Sequence, residues 1–114
     1  MSNKYTAQEI QEANDKFRRN LLTPDRRKGR VVFASGIMDS PDFEKIAQAV
    51  INFNAFTDGN DPHGEHDWAA FTIGDERYNF KIDYYDNDGA YEDGGDPFND
   101  EVKRVLTIMS ASDY

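Results

Sequence analysis

The chain has 114 residues, 38% hydrophobic and 13% aromatic, with 22 acidic against 13 basic side chains and a net charge of −9. That length predicts one domain, residues 1–114, able to bury on the order of two-thirds of its unfolded surface. The charge argues against direct nucleic-acid binding and against an anionic membrane surface, where a basic face supplies the affinity, and the lack of cysteine removes disulfides, thiolate metal sites and cysteine catalysis.

Thr6-Ala7-Gln8-Glu9 is a capping box, and Ile10, Ala13, Phe17 and Leu21 then recur at helical spacing. This predicts a helix from Ala7 to Leu22, stopped by Thr23-Pro24-Asp25. A basic patch follows, with Arg26, Arg27, Lys28 and Arg30 around Gly29. Arg30 to Ser35 is short, apolar and β-branched, and reads as a strand broken by Gly36. Ser40-Pro41 predicts a second helix start, with Ser40 as N-cap. Phe43, Ile46, Ala47, Val50 and Ile51 form its apolar face, and its end falls near Phe53–Phe56.

Asp67 to Ile73 and Arg77 to Tyr85 read as two strands of a hairpin turning at Gly74-Asp75. Tyr78, Phe80, Ile82 and Tyr84 alternate with Asn79, Lys81, Asp83 and Tyr85, which gives one buried and one wetter face. Residues 87–95 form a Gly/Asp loop. Asp96-Pro97 predicts a third helix, with Phe98, Val102, Val105, Leu106 and Met109 as its stripe. The expected fold is α+β: a three-stranded, mainly antiparallel sheet with three helices, in the order α-β-α-β-β-α. No apolar run reaches membrane-span length and no signal-peptide core is present, so a soluble cytoplasmic protein is the plain expectation.

The charge is uneven. Residues 1–57 sum to +2, residues 58–101 to −12 with only Arg77 and Lys81 as cations, and residues 102–114 to +1. The acidic segment opens with Asn60-Asp61-Pro62-His63-Gly64-Glu65-His66-Asp67. Imidazole and carboxylate are good ligands for a divalent metal, so His63, Glu65, His66 and Asp67 are the metal reading, with Glu65, His66 and Asp67 at its centre and Asp83, Asp86 or Asp88 completing it from across the sheet. The spacing of a helical His-Glu-x-x-His motif is absent, and the plainer reading is a structural loop. Asp86-Asn87-Asp88-Gly89 fails as a calcium loop: Gly89 comes two residues early and Pro97 stands where a bidentate Glu is needed. Glu65 or Asp67 with Asp83 is the acid–base pair of an enzymatic reading. No nucleophile order or phosphate-binding glycine loop accompanies it, which favours a non-enzymatic protein with no cofactor.

The acidic surface is itself a recognition feature. Carboxylates at Asp83, Asp86, Asp88, Glu92, Asp93 and Asp96, with Tyr84, Tyr85 and Tyr91 as anchors, would imitate a phosphate backbone and steer the protein to a basic groove. The alternative is a solvated acidic face. Four basic residues in five at 26–30 could bind nucleic acid, but the segment reads rather as a surface loop or as an ion-pair partner for the acidic segment, in the same molecule or in a homo-oligomer.

The motif at 60–67, Lys81-Ile82-Asp83-Tyr84-Tyr85-Asp86, Arg104-Val105-Leu106-Thr107-Ile108-Met109, Gly29-Arg30-Val31-Val32 and Asn14-Asp15 together resemble a family of short bacterial proteins known as domain of unknown function 3768. The resemblance covers nearly the whole chain. It implies small accessory proteins carried by plasmids, phages and integrated elements, and from that context inhibitors of host defence. It puts any shared site at Glu65, His66, Asp67, Lys81, Asp83, Tyr84, Tyr85 and Asp86, or makes His66, Asp67 and Lys81 a buried polar network. An aromatic residue serves equally at position 63, which weakens His63 as a ligand. The leading expectation is a non-enzymatic acidic binding protein of a phage or mobile element. Its partner would be a basic nucleic-acid-binding defence complex, covered in the manner of an anti-CRISPR or anti-restriction protein. The alternative is a divalent-metal-binding protein or metal-dependent hydrolase.

Overall fold

The capping box closes as its sequence demands: Thr6 Oγ1 accepts from Glu9 N at 3.2 Å, and Thr6 N donates to Glu9 Oε1 at 3.0 Å. It starts helix α1 (Ala7–Arg19) in the structure, a computed structural model that describes residues 5–92 and 94–113. Strand β1 (Gly29–Phe33) and helix α2 (Phe43–Asn52) follow. Ser40 Oγ accepts from Asp42 N at 3.1 Å, but the N-cap is Asp42, so the helix begins two residues later than Ser40-Pro41 suggests.

Strands β2 (Trp68–Ile73) and β3 (Glu76–Tyr85) form the predicted antiparallel hairpin. The two-residue β4 (Tyr91–Glu92) pairs with the end of β3, and β5 (Lys103–Ser110) runs into a short 3-10 turn, Ala111–Asp113. Where a third helix was expected, the chain forms β5, a central strand. The main path of the sheet is β1-β5-β3-β2, with β4 beside β3. β5 pairs antiparallel with β3 and parallel with β1, so the sheet is mixed rather than mainly antiparallel, and two helices accompany it rather than three. The error has a physical source. A strand buried on both faces carries apolar residues on both, and β5 buries Val105 and Met109 on one face and Leu106 and Ile108 on the other. Val102, Val105, Leu106 and Met109 therefore meet a helical spacing without making a helix, while Val105, Thr107 and Ile108 supply the β-branched content of a strand.

Both helices pack on the same face of the sheet. Ile10, Phe17 and Leu21, then Ile46, Ala47 and Val50, meet Ala69, Phe80, Ile82, Leu106 and Ile108 in one core. Burying Phe80, Leu106 and Ile108 completely contributes about 1.5–3 kcal/mol each. Phe53 and Phe56, just past α2, close the core edge-on against Phe80 at 5.7 and 6.3 Å. Arg18 ties the helices together from inside. Its Nη1 donates to Val50 O and to Ile51 O (3.2 Å), and its guanidinium lies over the Phe56 and Phe80 rings. Because α2 has no basic residue in its last turn, Arg18 supplies the charge that its carbonyl end attracts.

The residues that alternate with this core face form the other face of the sheet. In rows across the strands these are Val32, Thr107, Lys81 and Trp68, then Arg30, Val105 and Asp83, then Lys103, Tyr85 and Tyr91. Among the described residues, no helix packs there.

Candidate functional site

Asn14 and Asp15 are neighbours on α1, and each anchors a polar cluster on the helix side of the sheet. Asn14 is fully buried. Its Nδ2 donates to Glu65 O (2.9 Å) and to the Tyr84 hydroxyl (2.8 Å), while its Oδ1 accepts from Arg104 Nε at 2.6 Å. Arg104 Nη2 donates to Gly95 O at 2.6 Å, and the guanidinium lies 5.3 Å from the Tyr84 ring centre. The Tyr84 hydroxyl donates onward to Glu65 Oε1 at 3.2 Å. Gly95 is required here: a Cβ at that position would lie 2.5 Å from Tyr84 Cζ. Four segments distant in sequence thus meet at one amide, with its donors and acceptor all used.

The second cluster holds His66. Its Nδ1 lies 2.9 and 3.0 Å from the Asp15 carboxylate oxygens, and its Nε2 lies 2.6 Å from Gln11 Nε2. Asp61 Oδ2 lies 3.6 Å from the same Nε2, so a carboxylate faces each ring nitrogen. The ring stacks on Phe56 at 3.8 Å. Asp61 shapes the loop beneath it: Oδ1 accepts from Glu65 N (3.2 Å) and His66 N (3.1 Å). His66 itself has φ +56°, an uncommon conformation for a side-chain-bearing residue, held by these contacts.

Burial, and then the neighbouring Asp67, raises the Glu65 carboxyl above the usual carboxylate range. Burial does the same to Asp67. Tyr84 is likewise pushed up by burial, and burial lowers Arg104. The loop itself is held by the Asp61 carboxylate, which accepts from Glu65 N and His66 N, and by Asn14 and Asp15 on α1. Among the described residues, no group of three or more His, Cys, Asp or Glu side chains is arranged to hold a metal ion.

The open face has a different character. Lys81 Nζ pairs with Asp83 at 2.9 Å. Tyr85 and Tyr91 meet edge to face at 6.0 Å, and Tyr91 is 66% exposed. The turn between β3 and β4 is built by Asp86, whose Oδ1 accepts from Asp88 N (2.9 Å) and Ala90 N (2.8 Å), leaving Asp88 exposed at the tip.

Residues 33–113 match the model of a family described as a protein of unknown function (DUF3768). The chain belongs to this family. The matched span takes in the 60–67 motif, the β2–β3 hairpin and β5, but not α1, whose Asn14 and Asp15 hold that motif in place. No curated protein and no solved structure matches the chain.

The structure divides the residues singled out in sequence between the two faces. Glu65, His66 and Tyr84 lie on the helix side; Tyr84 is buried, so it anchors the interior rather than a partner. Lys81, Asp83 and Tyr85 lie on the other face, and α1 supplies Asn14 and Asp15 to the polar network. Asp83 and Glu65 are therefore not brought together. Asp61, Asp86 and Asp96 hold turns, Asp96 by accepting from Phe98 N at 2.9 Å. Asp100 pairs with Lys28 at 2.9 Å, which places the basic and acidic segments in contact within one molecule. Asp93 lies outside the described residues, and Glu92 is placed by its backbone alone. The residues that sequence reasoning missed are Asn14, Asp15, Arg18 and Gly95, together with the buried role of Arg104. Their signal was legible: Asn14 and Arg18 fall on the same stripe as Ile10, Phe17 and Leu21, and Arg104 alternates in step with Leu106 and Ile108.

Among the described residues, no helix is long and apolar enough to cross a membrane.

Proposed function

We propose that this chain is a non-enzymatic acidic binding protein that docks through the open face of its sheet onto the basic surface of a nucleic-acid-binding protein or complex. The observation that carries the reading is the corner where the β3–β4 hairpin assembles Asp83, Tyr85, Asp86, Asp88 and Tyr91 away from the core. Exposed aromatic rings edged by carboxylates give a partner both buried area and charge complementarity. The −12 charge of residues 58–101 supports encounter with a cationic groove. The interlocked Asn14–Tyr84–Arg104 cluster supports a scaffold role for the polar motif, because its donors and acceptors are spent on the fold. The finer reading is an inhibitor that protects a phage or mobile element from an anti-foreign-DNA complex of the CRISPR or restriction kind. It draws on the setting implied by the family resemblance.

The test is affinity capture from bacterial lysate, with wild type compared against Asp88→Lys combined with Tyr91→Ala. Both positions are exposed, and neither side chain holds the turn. One nucleic-acid-binding complex should be retained by wild type, displaced by DNA or RNA, and lost from the double variant. Retention that survives both the variant and the competitor nucleic acid would sink the reading. Capture of the chain by itself, broken by salt, would replace the foreign partner with a second copy.

A further inference from the structure

A cleft of about 470 Å³ opens between α1 and the approach to β5, on the helix side of the sheet. Phe17 and Pro97 line it with apolar surface, and Asn20 adds an amide. Its cations are Lys16, Lys28 and Arg104, three in one concavity of a protein whose net charge is −9. The carboxylate in the lining, Asp25, is already held by Arg27 through two oxygens at 3.2 Å. Arg104 is only 4% exposed. Its Nε and Nη2 are bonded, but among the described residues Nη1 has no hydrogen-bond partner and the guanidinium has no carboxylate ion pair. Glu65 and Asp96 act on this guanidinium only from beyond ion-pair distance, and an anion brought directly beside a buried cation offsets the cost of burying it. Guanidinium presents its donors in a fork matched to carboxylate and phosphate oxygens. Lys16 makes no ion pair among the described residues and stands at the exposed rim, where it would draw an anion inward.

We propose that this cleft binds a small anion, a carboxylate or phosphate group carried on a flat apolar body. Arg104, Lys16 and Lys28 receive the charged group, Lys28 exchanging its exposed partner Asp100 for it, and Phe17 and Pro97 receive the body. The site is separate from the docking face and stands or falls independently of it.

The experiment is a titration of the full chain, followed by amide NMR, with three probes: adenosine monophosphate, benzoate and inorganic phosphate. Saturable shifts are expected in residues 13–23 and around Arg104 with at least one probe bearing a ring, and weaker ones with inorganic phosphate. A response to adenosine monophosphate alone assigns the phosphate class, and a response to benzoate alone the carboxylate class. Lys16→Glu combined with Lys28→Gln should weaken binding about tenfold or more, the worth of one charge-assisted hydrogen bond. Lys45→Glu, at an exposed position of α2 outside the lining, should leave binding unchanged. No saturable shift with any probe, or unchanged affinity in the Lys16/Lys28 variant, overturns the proposal. Arg104 is left intact in these variants because its removal threatens the fold.

Discussion

The two faces of the sheet handle polar groups in opposite ways. On the helix side, each polar atom of Asn14 is bonded and Tyr84, Arg104 and Glu65 are locked around it. On the open side, Asp83 and Lys81 pair at the surface, and Tyr91 is exposed with its hydroxyl free of any bond within the described residues. The difference teaches which residues build the molecule and which can be lost without unfolding it. A motif rich in His, Glu and Asp is not thereby a site. Here most of its capacity is consumed in fixing a loop to a helix.

The sharpest way to break this contrast is Arg104→Leu. It strands Asn14 Oδ1 and Gly95 O in the interior, and each unpaired buried group costs about 1–3 kcal/mol. Denaturant unfolding should show the loss, and a change near zero would mean that the network is not structural. Gly95→Ala comes next. Its Cβ would press into the Tyr84 ring, and such overpacking costs about 1–3 kcal/mol. Amide NMR should show the disturbance spreading to Asn14 and Arg104 rather than to Tyr85.

These two positions also show what the sequence made legible. The capping box, the hairpin and the alternation along β3 were readable because one face of each is wet, so the periodicity survives. β5 was not, because Val105 and Met109 are buried on its second face as Leu106 and Ile108 are on the first, which erases its alternation. The clusters around Asn14 and His66 were half readable. Their residue types were conspicuous, but the partner of each lies 51 to 90 positions away along the chain. No local spacing can reveal a pairing closed by tertiary packing.

A smaller effect separates the faces by pH. Burial raises Glu65 above the usual carboxylate range, so the folded state holds its proton more tightly than the unfolded state does. The stability that this group contributes is complete below the unfolded carboxylate range. It is lost as pH rises through the raised folded value. Glu65→Gln keeps an oxygen for the Tyr84 hydroxyl and removes the charge. Its melting temperature should exceed that of wild type at neutral pH, with the gap closing in acid. A lower melting temperature at neutral pH would show that the ionised carboxylate is needed. The smallest effect belongs to the open face. Asp88→Lys and Tyr91→Ala should each change stability by no more than about 0.5 kcal/mol in thermal unfolding. A larger loss would mean that this corner is part of the scaffold after all.

The position of β5 has a consequence for how the chain comes to be folded. Gly29 packs so closely on β5 that a Cβ there would sit 2.0 Å from Arg104 O, and the parallel pairing joins residues 29–33 to 104–108. The strand at the centre of the sheet is thus made after every strand that surrounds it. On the ribosome, α1, α2 and the β2–β3 hairpin must wait with their apolar faces uncovered until residue 110 emerges. Closing so long a loop is slow. A growing chain stalled near residue 100 should be open to proteases and dependent on chaperones. Resistance should appear once residues 103–110 have joined the sheet between β1 and β3.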